Sequence, residues 1–219
     1  MTEFVYLHGF ASGPSSKKAT AFKNKFKEIG VSLNTPDLEG GNFENMTLTS
    51  QVNIVLDLLD QFQCKKVCLI GSSMGGYLAT LVAQRRVEIK ATYLMAPGFN
   101  FLERWMRSLK LDCEDEACWE PKIQIFHYRY DETKYIQTDI FKDAKNWRSL
   151  GLKREVPSRI VHGIHDEVVP IDESKKFISR RPWCSLKELD SDHGLLSHLE
   201  WVVDDCMAFF KRLGILSTE

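Results

Sequence analysis

The chain has 219 residues, 43% hydrophobic and 27% charged, which is enough for a sizeable core in one domain or one domain with an insertion. Prolines are few and no polar low-complexity tract occurs, which excludes a disordered, fibrous or repeat protein. With 29 basic against 30 acidic side chains the formal charge is -1, so no whole-molecule field draws in nucleic acid or an anionic membrane.

Residues 4–7 form a short apolar run that stops sharply at His8-Gly9-Phe10-Ala11-Ser12-Gly13-Pro14, a strand followed by a loop. No basic stretch, apolar signal core or cleavage site precedes it, and no run reaches the length of a membrane span, so a cytoplasmic location is expected. Ser15 or Ser16 then caps a helix reaching about Ile29, with Ala19, Phe22, Phe26 and Ile29 at helical spacing and Gly30 at its end. Lys17, Lys18, Lys23, Lys25 and Lys27 lie along it and read as a solvated face.

A second strand over 31–34 leads to a polar loop over 36–45. Thr47 or Thr49 opens a helix whose apolar stripe is Val52, Val55, Leu56, Leu59 and Phe62. The third strand, 66–70, is continuously apolar after its lysines, as a strand covered on both faces must be. Gly71-Ser72-Ser73-Met74-Gly75-Gly76 turns into a helix from Tyr77 to about Arg86, and 91–96 is the fourth strand. This alternation implies βαβ units, right-handed crossovers and a mostly parallel sheet with helices on both faces.

The rhythm breaks over 97–157. A helix over 101–109, a hairpin turning at Asp131-Glu132 and a helix over 139–150 are expected there. A stretch of about sixty residues is too long for an ordinary connection and reads as a cap inserted into a single domain spanning 1–219. The strand pattern resumes at 158–162, runs through His162-Gly163-Ile164-His165-Asp166-Glu167, and continues as a helix to about Arg180 and a last strand over 185–189. A closing helix starts near Leu195 with Leu196, Leu199, Val202, Val203, Cys206, Phe209 and Phe210 on its apolar side, giving about six parallel strands in all.

The six cysteines follow no repeating spacing. Cys68 and Cys206 read as small buried hydrophobes, and Cys113 and Cys118, separated by Glu114-Asp115-Glu116, are not a Cys-x-x-Cys pair.

The strongest chemical signal is the Gly-x-Ser-x-Gly at 71–75, because it lies between a buried strand and a helix, the context a nucleophile elbow requires. Glycines two before and two after single out Ser73 over Ser72. The elbow exposes the Ser73 Oγ, aims a helix amino terminus at the reacting centre and leaves the Met74 amide to donate to an oxyanion. A serine hydroxyl needs a base, and His193, in the polar loop 190–194 after the last strand, is the best of six histidines; His198 reads as a surface or packing group.

The base needs a carboxylate to orient its ring. Asp166 follows the penultimate strand directly, at the same sheet edge as Ser73, whereas Asp190 and Asp192 are sequence neighbours of His193 and poorly placed to reach its far nitrogen. His162 and His165 flank the acid without an Asp or Cys partner at ligand spacing, so no zinc site is expected. The Phe10 amide, in the turn shaped by His8, supplies the second oxyanion donor. Phe99, Phe101, Leu102, Trp105 and Met106 form one apolar band and Phe126, Tyr128 and Tyr130 another, either walls of an acyl pocket or packing that seats the cap. The alternating segment 123–138 offers a strand edge to a second copy, hence a homodimer.

Leu7-His8-Gly9-Phe10, Gly71-Ser72-Ser73-Met74-Gly75-Gly76, the run from His162 to Pro170, and Asp192-His193-Gly194 together resemble the α/β-hydrolase superfamily. The opening His-Gly-Phe-Ala-Ser-Gly-Pro-Ser-Ser is similar to that of the small bacterial YqiA-like esterases. The resemblance implies an α/β-hydrolase fold and hydrolysis of a small acyl ester through an acyl-enzyme, with no cofactor and usually short acyl groups. It also implies Ser73, Asp166 and His193 as nucleophile, acid and base, with Phe10 and Met74 as oxyanion residues. The superfamily's two leading strands have no counterpart here, and 97–157 is richer in charge and aromatic residues than a minimal member. Thioester or amide cleavage on the same triad, or a non-catalytic binding role, are the competing readings.

Overall fold

The structure, a computed structural model, describes residues 2–62, 66–111, 119–148 and 151–217. The sheet is built by β1 (Glu3–Leu7), β2 (Leu33–Asn34), β3 (Val67–Ser72), β4 (Ile89–Met95), β7 (Ser158–Gly163) and β8 (Cys184–Leu189). They lie in the order β2-β1-β3-β4-β7-β8 with every pairing parallel, so all carboxyl ends share one edge. Between them come α1 (Lys17–Glu28), α2 (Leu48–Gln61), α3 (Met74–Arg85) and α6 (Ile171–Ile178), and α7 (Leu199–Arg212) closes the fold.

Period-two alternation along the strands decides which helices they meet. On β1, Phe4 and Tyr6 join Cys68, Ile70, Tyr93 and Val161 beneath Phe22 and Phe26 of α1 and Val202, Cys206 and Phe210 of α7. Val5 and Leu7 join Leu69, Leu94 and Ile160 on the opposite face, beneath Val52 and Val55 of α2 and Leu78 and Val82 of α3. Full burial of each large apolar side chain is worth about 1.5–3 kcal/mol. The expected start signals are used: the Ser16 Oγ accepts from the Ala19 amide, and Thr47 and Ser50 form a reciprocal capping box.

Between β4 and β7 lie α4 (Phe101–Ser108), an antiparallel hairpin of β5 (Lys122–His127) and β6 (Glu132–Gln137), and α5 (Asp139–Arg148). Leu102, Met106, Ile136, Ile140, Phe141 and Trp147 bury into the α2/α3 side of the core. Polar bonds also fasten the segment to the sheet helices. Thr49 donates from its amide and hydroxyl to the Asp143 carboxylate and accepts from the Trp147 indole. The Arg154 guanidinium donates to four carbonyls, those of Ala83, Arg86, Val87 and Ile89.

Three expectations shift. The closing α-helix starts at Leu199 after a 3-10 turn over Leu196–His198, and Leu195 rather than Leu196 is the buried leucine there. The helix after the elbow starts at Met74, not Tyr77. Of the two aromatic bands, the first packs inward, while Phe126, Tyr128 and Tyr130 are exposed. Cys64, Cys113, Cys118 and the end of the helix at 149–150 lie outside the described residues.

Candidate active site

Ser73 sits between β3 and α3 with φ 52° and ψ -119°, a conformation that costs a non-glycine residue on the order of 1–3 kcal/mol. The surroundings hold it there. Its amide donates to the Met95 carbonyl at 2.8 Å, and its own carbonyl accepts from Gly76, Tyr77 and Gly98. A Cβ on Gly71 would lie 2.4 Å from the Gly75 carbonyl oxygen, and one on Gly75 would lie 2.2 Å from that of Leu7. The two glycines of the motif are therefore required by close backbone approach, which lets α3 leave directly over the sheet edge.

The Ser73 Oγ is 2.9 Å from His193 Nε2, and His193 Nδ1 is 2.7 Å from Asp166 Oδ2. Since a carboxylate only accepts, Nδ1 carries the proton and Nε2 accepts from the hydroxyl. The side chains from three separate loops at the carboxyl edge thus form one unbroken line. Asp166 is buried, and its Oδ1 accepts the amides of Val168 and Val169 at 2.9 and 2.7 Å. Burial opposes its ionisation, but the hydrogen bonds from His162, His193 and the Val169 amide outweigh it and hold the carboxyl far below the usual range.

The competing acids are occupied elsewhere. Asp190 pairs with His165 at 2.8 Å on the surface, and Asp192 accepts from the Leu195 amide to turn the chain. Ser72 is buried within β3, and His198 bonds the Ser197 hydroxyl.

Met74 is the first residue of α3, where an amide has no partner inside its own helix. The loop after β1 runs against Ser73: a Cβ on Gly9 would lie 3.3 Å from the Ser73 Cβ. Among the described residues, neither the Phe10 nor the Met74 amide donates to another protein group. His8 does shape that loop. It is buried, its Nδ1–H donates to the Gly9 carbonyl and its Nε2 accepts from the Leu38 amide. Burial pushes its basicity down, consistent with an acceptor nitrogen facing Leu38. The Phe10 ring packs on Phe43, Phe101 and Trp105, tying α4 to the loop.

Sequence reasoning missed three polar groups here. His162, set aside as a flanking histidine, is fully buried with Nε2 3.0 Å from Asp166 Oδ2. His127 donates from Nε2 to Glu39 Oε1 at 2.6 Å in a buried pair beside the loop, while the Tyr128 backbone amide donates to the Ala11 carbonyl. Lys18, read as part of a solvated face, is half-buried, and burial lowers its amine to about 8 despite the pull of Asp192 and Asp166. Each partner is far away in sequence, except for the His162 to Asp166 spacing of one motif, which was the one available signal. A cavity of about 290 Å³ lies further along α3, lined by Tyr77, Phe99, Trp147 and Phe177 and by none of Ser73, Asp166 or His193.

Residues 3–211 match the family model described as Uncharacterised protein family (UPF0227). The chain belongs to this family. It is also 38% identical over 208 residues to a Mycoplasma pneumoniae protein named "Putative esterase/lipase 2", covering 81% of this chain and 76% of that one. The human palmitoyl-protein thioesterase ABHD10 is 26% identical over 191 residues, covering 80% of this chain and 60% of the thioesterase. Among solved structures, Est1E from Butyrivibrio proteoclasticus with bound ferulic acid superposes with a TM-score of 0.82 at 23% identity, over 97% of this chain and 89% of that one. Mouse ABHD10 gives 0.82 at 22% identity, over 96% and 90%. The fold is the α/β-hydrolase fold, and the likeness to the YqiA-like family members stands.

Proposed function

We propose that the protein is a serine hydrolase that cleaves a small carboxylic ester through an acyl-enzyme. The observation that carries this reading is the continuous Ser73–His193–Asp166 line at 2.9 and 2.7 Å; the esterase and thioesterase names of its relatives support an acyl substrate. As the Ser73 Oγ attacks the acyl carbonyl carbon, His193 Nε2 takes its proton and Asp166 balances the imidazolium. The amides of Phe10 and Met74 meet the charge developing on the carbonyl oxygen. The C–O bond to the leaving group breaks as His193 returns the proton to the departing alcohol. Water then attacks the acyl-enzyme, giving its proton to His193, and the Ser73 oxygen leaves with that proton. No cofactor enters the cycle.

The segment 97–157 acts as a cap that selects the substrate, since Phe101 and Trp105 put aromatic rings beside Phe10. Because each methylene in such a pocket changes discrimination by about 1–3 kcal/mol, short acyl chains are separated by the cap rather than by the triad. The test is S73A against short p-nitrophenyl esters: turnover is expected to fall on the order of 10⁴-fold or more, and a fluorophosphonate probe is expected to label the wild type alone. Near-wild-type turnover in S73A sinks the nucleophile assignment, and an unlabelled wild type favours a binding role on this scaffold.

A thioesterase is the second reading, favoured by the ABHD10 relatives. Acyl-CoA thioesters run beside p-nitrophenyl esters of the same chain length separate the two. The exposed hairpin edge supports a homodimer in a cytoplasmic enzyme, which sedimentation velocity checks.

A further inference from the structure

The reaction needs one histidine on Asp166, yet two are there. His162 stands on β7 with no exposed surface, and its Nε2 lies 3.0 Å from Asp166 Oδ2 and 2.9 Å from the Val169 carbonyl oxygen. A carbonyl oxygen has only lone pairs to offer, so Nε2 carries the proton. The other nitrogen, Nδ1, lies 2.8 Å from the hydroxyl of the fully buried Ser174 on α6, which donates to it. Ser174 thereby fixes both the tautomer and the plane of the ring, in the way an outer partner orients a metal-bound histidine.

The consequence falls on one oxygen. Asp166 Oδ2 accepts from His162 and from His193, whereas Oδ1 is held by the two backbone amides. Charged groups also face this carboxylate from other elements: Lys18 of α1, which also faces Asp192, and Arg104 of α4, which also faces Glu173. The His165–Asp190 pair lies outside on the surface. Among the described residues His162 and His193 alone donate to Asp166 from side chains.

We propose that His162 is a positioning residue for the Ser73–His193 pair: its Nε2–H fixes the rotation of the Asp166 carboxylate and takes a share of Oδ2, limiting how tightly that oxygen holds the His193 ring. The kinetic side of this inference rests on the hydrolase reading; the hydrogen-bond side does not. A carboxylate oxygen that serves one donor fewer binds the remaining one more strongly and rotates more freely, so the His193 ring is held harder but aimed less well.

Two readouts test it on the full chain. In H162L, kcat for a p-nitrophenyl ester is expected to fall about tenfold with KM little changed, the scale of loss when an orienting partner is removed, and the low-field proton on His193 Nδ1 is expected to move downfield in the NMR spectrum. H162Q, whose amide nitrogen reaches the same oxygen, is expected to restore both. A folded H162L with wild-type kcat and resonance, or losses that H162Q does not restore, overturns the proposal. If H162L does not fold, S174A decides: it frees the ring with little change in volume, and is expected to lower kcat by about threefold, a fraction of the full positioning loss, with the same downfield displacement. An S174A unchanged in both overturns the proposal. The resonance needs no substrate, so a wild type inert to esters and to fluorophosphonate removes the hydrolase reading while the proton shift still decides the role of His162.

Discussion

Among the described residues there are two buried imidazole–carboxylate clusters, and they behave in opposite ways. At the end of β7, Asp166 accepts from two histidines and two amides and stays ionised. In the loop after β2, Glu39 accepts from His127 at 2.6 Å, and burial pushes its carboxyl upward against that bond, with Asp37 adding like charge. The difference lies in the donors and the neighbouring charge: at Asp166 the bonds from His162, His193 and the Val169 amide outweigh desolvation, whereas at Glu39 the single bond from His127 does not. The first cluster holds the line to Ser73, and the second joins the hairpin to the loop after β2.

The largest expected break of this comparison is D166N. An amide in place of the carboxylate offers His193 a donor where it needs an acceptor, and kcat for a p-nitrophenyl ester should drop by about 10⁴-fold. Equal loss from D190N would contradict the assignment of the acid.

Next is the opposite pH dependence of the two carboxyls, read by urea denaturation. The lowered Asp166 contributes stability above the ordinary unfolded value of about 4 that is lost as pH falls through its depressed folded value. For the raised Glu39 the folded state holds the proton more firmly, so its contribution falls as pH rises from about 4 through its folded value. E39Q should therefore remove a loss of stability that sets in as pH rises above about 4, and an unchanged slope would show that Glu39 titrates alike folded and unfolded. H127A, which strands a buried carboxylate, should cost about 3 kcal/mol or more.

The smallest effect belongs to the exposed pair of His165 and Asp190. D190A should leave kcat unchanged and stability within about 1 kcal/mol, the usual worth of a surface pair. A loss approaching that of D166N would place the second acid within the reaction.

Much of this was readable in the residues because the cues were local. The continuous apolar run of β3, the stripe Val52, Val55 and Leu59, and the Ser16 and Thr47 caps each report on neighbours within a few positions, and each formed as expected. Gly71 and Gly75 likewise signalled a turn whose backbones nearly touch. The segment 97–157 was less legible. Its helices and hairpin were expected, but alternation in β5 does not say which face meets protein, and Tyr128 and Phe126 proved exposed. At the closing helix the stripe pointed to Leu196, whereas a left-handed Leu195 with φ 55° turns that residue inward instead.

The sequence by itself determined the alternating α/β order, the parallel sheet and the elbow at Ser73, since periodicity and glycine spacing are properties of short stretches. The residues already pointed to Asp166 as the carboxylate for His193, but only the tertiary structure decided that His162 shares its oxygen and that His127 buries against Glu39. Those pairings join residues up to 88 positions apart or on separate elements. Hydrogen bonding at such sites depends on angles and distances fixed by packing of the whole sheet edge, for which no local pattern exists.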